Sequence, residues 1–199
     1  MQVGKILYQV VHKLHKHGLL KFDWFCHIQN CLNNCSLYNH WISQNVSNRE
    51  HFKKMIKERI GIKYEEEWAN NILESGKCYN YRMFKNTLNL ENYLLKLPLS
   101  LRVTLTKFRV SNHKLPIESG RFGNIDRNER KCNFCNILGD EYHYLFQCTK
   151  FKDERKLLLP KFYWTNVNSE KYHALMSSCN YKKLFKLANF VKIIMSEFK

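Results

Sequence analysis

Arg130-Lys131-Cys132-Asn133-Phe134-Cys135-Asn136-Ile137-Leu138-Gly139-Asp140-Glu141-Tyr142-His143-Tyr144-Leu145-Phe146-Gln147-Cys148 reads C-x2-C-x7-H-x4-C. Three thiols and one imidazole are a full ligand set for a tetrahedral zinc, and with no position left for water such an ion is structural. The two-residue spacer between Cys132 and Cys135 suits a tight knuckle, and Gly139-Asp140 supplies a turn back toward His143. Helical residues five apart differ by roughly 140°, so His143 and Cys148 cannot share one face of an unbroken helix. One or two turns over 141–147, stopping at Cys148, are therefore expected. The same four residues also admit a plainer reading as buried thiols and a hydrogen-bonded imidazole, since x7 is looser than the tightest knuckles. If zinc binds, its binding energy is folding energy for a segment with little apolar core of its own.

Upstream, residues 99–131 hold eight Lys or Arg against three acids. Arg102, Lys107, Arg109, Lys114, Arg121, Arg127, Arg130 and Lys131 are the candidate nucleic-acid contacts, because phosphate binding rests on such cations. Residues 99–106 alternate apolar and polar as a strand would, yet Leu101, Leu105 and Phe108 fall at helical spacing behind Pro98.

The residues Cys132, Cys135, Asp140-Glu141, His143-Tyr144-Leu145-Phe146 and Cys148 follow Leu105-Thr106-Lys107-Phe108-Arg109, Asn112-His113-Lys114-Leu115-Pro116-Ile117-Glu118 and Gly120-Arg121. Together they resemble the zinc-binding segment C-terminal to the polymerase in non-LTR, LINE-type retrotransposon reverse transcriptases. The resemblance covers about residues 99–160 and is weaker over 68–85. It implies a basic helix, a linker with a Leu-Pro and a Gly-Arg turn, the knuckle and a further helix, which favours a helix over 99–109. It also implies RNA or DNA as partner, and a reverse transcriptase domain in the parent element. The polymerase centre itself is not expected: Asp23, Asp126, Asp140 and Asp153 are the only aspartates and no two are adjacent, whereas two-metal phosphoryl transfer needs clustered carboxylates. No endonuclease or RNase H carboxylate cluster is evident either. On this reading the chain is a truncated descendant of a longer element, or an artefact of gene prediction, and is not expected to be an enzyme. Ser111, His113 and Glu118 make a poor triad, lying within eight residues on an expected loop.

At 199 residues and 44% hydrophobic, the chain suits one domain, or one with an appendage. A formal charge of +16 favours a polyanion, with nucleic acid ahead of a membrane, although lysine-rich composition alone produces such an excess. Eight cysteines without a compact apolar leader over 1–11 point to an intracellular protein, nuclear or cytoplasmic, with reduced thiols. No run reaches the roughly 18 apolar residues of a membrane span, and no small-molecule substrate is indicated.

The remaining segments read as helices. Val3, Ile6, Leu7, Val10, Val11 and Leu14 form one stripe ending at Gly18, with Lys5, His12, Lys13 and Lys16 opposite. Phe22, Trp24, Phe25, Cys26, Cys31 and Cys35 follow; with His27 or His40 the cysteines could bind a second metal, but their spacing suits buried helix positions equally. Ser47 or Asn48 is a cap for a helix carrying Phe52, Met55, Ile56 and Ile60, which Gly61 should kink before Tyr64, Trp68 and Ile72 resume it, with Glu65 to Glu67 toward water. Residues 78–97 interleave aromatics and cations, as base stacking or core packing would both require. Thr149 should cap a helix to about Leu159 that buries Phe151, Leu157 and Leu158, with Pro160 ending it. A last helix over 181–198 buries Leu184, Leu187, Ala188, Val191, Ile194 and Met195, leaving Lys182, Lys183, Lys186 and Lys192 wet.

The sequence thus predicts a mainly α, helical protein with a small CCHC zinc knuckle between two helices. Residues 1–98 form an N-terminal helical region, 99–160 the basic helix and knuckle with one structural Zn2+, and 161–199 a helical tail. The expected function is nucleic-acid binding as a polymerase accessory region. A zinc-stabilised protein-interaction module, or a nonfunctional retrotransposon remnant, is the alternative.

Overall fold

The structure is a computed structural model that describes residues 2–18, 23–45 and 48–198, with side chains from residue 8 onward except 23 and 24. It is mainly helical, 68% of the chain, with no strand among the described residues. These residues divide into two compact units, Met1–Glu67 and Trp68–Lys199.

The first unit contains α1 (Gln2–Lys16), α2 (Asp23–Asn34), α3 (Tyr38–Ser43) and most of α4 (Arg49–Glu74). Its core is aromatic: Trp41 meets Phe25 edge-on at 4.6 Å and Tyr8 at 5.1 Å, with Leu32, Cys35 and Leu37 buried around them. Gly18 takes φ 71° just past α1, the left-handed position that favours glycine. Of the expected α1 stripe, Val11 and Leu14 are half-buried and Val10 is exposed; Val3, Ile6 and Leu7 lie outside the described side chains, as do Phe22, Trp24 and Ser47. Asn48 caps α4, its Oδ1 accepting from the Glu50 and His51 amides at 2.9 and 3.0 Å. The expected break at Gly61 does not occur. α4 runs through it, because one helical glycine costs only about 1 kcal/mol against alanine and good helix formers flank it. Glu65, Glu66 and Glu67 are exposed.

In the second unit the rest of α4 leads to a 3-10 turn, Tyr81–Met83, and then to α5 (Asn92–Lys96), α6 (Leu99–Arg109), α7 (Pro116–Phe122), α8 (Glu141–Phe146), α9 (Lys152–Leu158), α10 (Lys161–Trp164), α11 (Ser169–Met176) and α12 (Tyr181–Glu197). The strand-like alternation of residues 99–106 resolves as helix: Pro98 occupies the N-cap, and Leu101, Leu105 and Phe108 face inward. α12 packs along α6 and α9 and buries Leu184, Leu187, Ala188, Phe190, Val191 and Ile194. No helix among the described residues is long and apolar enough to cross a membrane.

Two expectations need correction. Leu157 is 78% exposed and Leu158 half-buried, while Leu159, past the end of α9, is buried. The cause is the 3-10 turn Thr149–Phe151, which precedes α9 and shifts its phase, since a 3-10 turn takes about three residues. Nor does the Cys/His segment lack a core: Tyr144, Leu145, Phe146 and Phe151 belong to the main apolar cluster of this unit.

Candidate metal centre

Cys132, Cys135, His143 and Cys148 converge, with one ligand atom from each lying within 4.8 Å of all the others. The Cys148 Sγ is 3.8 Å from that of Cys132 and 3.9 Å from that of Cys135. Sulfurs about 2.3 Å from a tetrahedral zinc stand about 3.8 Å apart, whereas a disulfide needs about 2.05 Å. Thiol packing alone would give similar separations; His143 discriminates. Its ring is buried, and neither nitrogen makes a well-formed hydrogen bond, Gln147 being the one side chain that acts on it as a hydrogen-bonding group. An imidazole does not sit so without cost, and an ion at the shared centre accounts for one of the two nitrogens. Burial also holds His143 below the usual histidine range, with Gln147 acting the other way, so it is kept in the neutral form a metal requires. The four residues therefore fit a zinc ion.

Local structure explains the convergence. In the turn that carries Cys132 and Cys135, the Asn136 amide donates to the Cys132 carbonyl at 2.9 Å and the Cys132 amide to the Ile137 carbonyl at 2.7 Å, while Asn136 takes φ 53°. A single antiparallel bridge, Lys131 with Leu138, closes it. Gly139 is required here: a Cβ would stand 2.9 Å from Pro116 Cβ and 3.0 Å from the Cys132 nitrogen. Asp140 then caps α8, its Oδ1 accepting from the His143 amide at 2.9 Å. α8 ends after one turn and a half, and the Cys148 amide donates back to the His143 carbonyl at 2.9 Å. That early stop turns Cys148 to the same centre as His143.

Several residues around the ligands carry weight that motif spacing alone did not reveal. Arg155 is 5% exposed and donates to the carbonyls of Leu145, Tyr144 and Cys148 at 2.7, 3.2 and 2.8 Å. Among the described residues no carboxylate forms an ion pair with it. Three thiolates on a divalent ion leave one net negative charge, which this guanidinium would balance. A sequence signal existed: Arg155 is the sole arginine after Arg130, among many lysines. Thr149 is not a helix cap; its hydroxyl and amide lie 3.3 and 3.4 Å from Cys135 Sγ. Burial raises the Cys135 thiol, but these bonds, with the neighbouring cysteines, outweigh it and bring Cys135 below its ordinary value. Burial pushes Cys148 up to about 12, so an ion must displace its proton.

A second buried set holds α8 from the other side. Glu141 accepts from Ser111 Oγ at 2.5 Å, His113 Nε2 at 2.8 Å and Asn80 Nδ2 at 2.6 Å. Asn80 also reaches Asp140 at 3.1 Å. Burial acts to raise the Glu141 carboxyl, but His113, Ser111 and Asn80 overcome it and hold the group below the usual range. Ser111 and His113 thus meet on Glu141, while Glu118 pairs with Arg121.

The candidate nucleic-acid residues divide by accessibility. Lys107, Lys114 and Lys131 are exposed. Arg102 is half-buried on the Leu97 carbonyl, Arg121 holds Glu118, Arg127 lies over the Tyr79 ring at 4.0 Å, and Arg130 donates to the Ile125 and Ile117 carbonyls. Arg109 is different: it is 2% exposed, ion-paired with Glu91, bonded to the Met176 carbonyl at 2.7 Å and stacked on Phe84 and Tyr93. Its charge serves the core and does not face solvent. Phe134 is exposed, with the Lys150 ammonium over its ring at 5.2 Å. Of the cysteines once weighed for a second metal, Cys26 is half-buried, Cys31 exposed and Cys35 buried; the described residues bring only the 132–148 set together as a metal-binding group.

No protein-family model, curated protein or solved structure matches the chain. The assignment of the centre therefore rests on its own geometry.

Proposed function

We propose that the chain is a zinc-stabilised, nucleic-acid-binding accessory module of the kind found C-terminal to the polymerase in non-LTR retrotransposon reverse transcriptases. In this reading a CCHC knuckle fastens the loop between the basic α6 and α9. The observation that carries it is the convergence of three sulfurs and a buried imidazole that makes no well-formed hydrogen bond, beside the exposed cations Lys107, Lys114 and Lys131. Zinc orders the surface; lysine ammonium groups, with the free edges of Arg121, Arg127 and Arg130, meet phosphates.

Two measurements test this. Purified protein should contain one zinc per chain, and Cys132→Ser and His143→Ala should contain none; equal zinc in all three ends the ligand assignment. Affinity for single-stranded and structured RNA should fall linearly on a log-log plot against salt, with a slope of about −0.7 per single-strand phosphate contacted. A flat titration leaves a zinc-stabilised protein-interaction module as the better reading.

A further inference from the structure

Two hollows on the second unit share a wall. One, of about 540 Å³, is lined by Lys114, Arg130, Lys131 and Phe198 among others; its neighbour, of about 490 Å³, by Lys107, Lys114, Lys192 and Phe198. Lys114 and Phe198 belong to both, so the hollows form one trough from the α6–α12 seam to the knuckle. All four lysines are exposed, and among the described residues none of their ammonium groups has a hydrogen-bonding or ion-pair partner. Glu129 is the sole carboxylate in the lining.

Resting on the nucleic-acid reading above, we infer that this trough binds single-stranded nucleic acid, with Phe198 as the stacking platform between two nucleotide subsites. Each hollow falls in the size range of small-ligand sites, about 300–1,000 Å³. Phe198 is half-buried, rests edge-on against Tyr144 at 5.1 Å and lines both hollows. Unpaired bases stack on such a ring whatever their identity, while a cationic groove follows the backbone. A duplex keeps its bases inside the stack and would use the lysines alone. The partner is thus a single strand read without strong sequence preference. Lys192 belongs to the site although its helix is otherwise a packing element.

The test is fluorescence anisotropy on the full zinc-loaded chain with a labelled single-stranded RNA, its DNA counterpart, a DNA duplex and, as a competing polyanion, poly-glutamate. Both single strands should bind about tenfold or more tighter than the duplex, and poly-glutamate should compete weakly. The double substitution Lys107→Gln/Lys192→Gln should weaken single-strand binding by about tenfold or more, while Lys182→Gln/Lys186→Gln, on α12 but outside the trough, changes it by less than about threefold. Phe198→Leu keeps the packing on Tyr144 and removes the aromatic face. It should lower affinity several-fold with the salt slope unchanged, and a thermal melt checks its fold. Equal losses from the two lysine pairs, or equal affinity for duplex and single strand, overturn the trough while nucleic-acid binding stands. Binding of poly-glutamate alone overturns both readings and gives the trough to an acidic protein.

Discussion

The two halves of the candidate metal centre are built differently. Cys132 and Cys135 sit on a thin turn whose intervening and following side chains, Asn133, Phe134, Asn136 and Ile137, are exposed. His143 and Cys148 flank the end of α8, where Glu141, Tyr144, Leu145 and Phe146 are all buried. The first half is held by a few backbone hydrogen bonds, by Thr149 on Cys135 and by the packing of Cys132 and Leu138 on the core, with little apolar bulk of its own. The second is held on one side by Arg155 across the carbonyls at its C-terminus, and on the other by Ser111, His113 and Asn80 on Glu141. An ion in the centre would therefore not be the sole organiser of a loose segment: it would tie the turn to a helix that is already in place.

Metal removal should act on one half far more than on the other. In zinc-finger peptides, which have little else, the ion supplies about 10 kcal/mol or more; here the loss should be smaller because α8 has its own core. On chelation, hydrogen exchange should become fast over 131–139, while amides of α8, α6 and α12 keep most of their protection. Loss of protection in α8 together with the knuckle would break the comparison, since it would make the ion the organiser of both halves.

The helical half is sharpened by Arg155→Met. That variant leaves three carbonyls without their donor, each buried group so stranded costing about 1–3 kcal/mol, and in the metal-bound form it also removes the charge opposite the thiolates. The thermal midpoint should drop clearly even in chelated protein, and zinc affinity should fall by about tenfold or more, as for other residues that orient ligands. Arg155→Lys should rescue little, because an ammonium group cannot serve three acceptors spread across a planar fork. A chelated variant as stable as chelated wild type would show that α8 depends on the ion after all.

What the sequence could and could not reveal follows the same division. The convergence of the four side chains was legible because they lie within one short segment at recognisable spacing, and so was the end of α8, since five-residue spacing forbids a shared helical face. The α12 stripe was legible for the same local reason, whereas the spacing over α6 fitted a strand as well as a helix and only the family resemblance favoured the helix. Arg109 was not. At the end of a helix that bears other cations it reads as a surface charge, and only Glu91 and the Met176 carbonyl, 18 and 67 residues away in sequence, turn it inward. Leu157 misled because spacing was counted from Thr149 as though the helix began there, whereas a 3-10 turn intervenes. The hold on Glu141 was hidden likewise: Ser111 and His113 were weighed against nearby Glu118, when their acceptor is 28 to 30 residues further on.

The smallest effect lies where the halves touch. Thr149, directly after Cys148, offers its hydroxyl and amide to Cys135 Sγ and so connects the helical half to the knuckle. Thr149→Val keeps the shape and the amide but removes the hydroxyl. One exposed hydrogen bond is a modest contribution, so zinc affinity in a chelator competition should fall by about two- to fivefold, with the fold unchanged. The apo protein gives a second measure. Because the Thr149 bonds help lower the Cys135 thiol, losing one should raise it, leave less thiolate near neutral pH and slow alkylation at that cysteine. Unchanged or faster alkylation would mean that the hydroxyl does not act on the sulfur, and that the knuckle depends on the ion and its own turn alone.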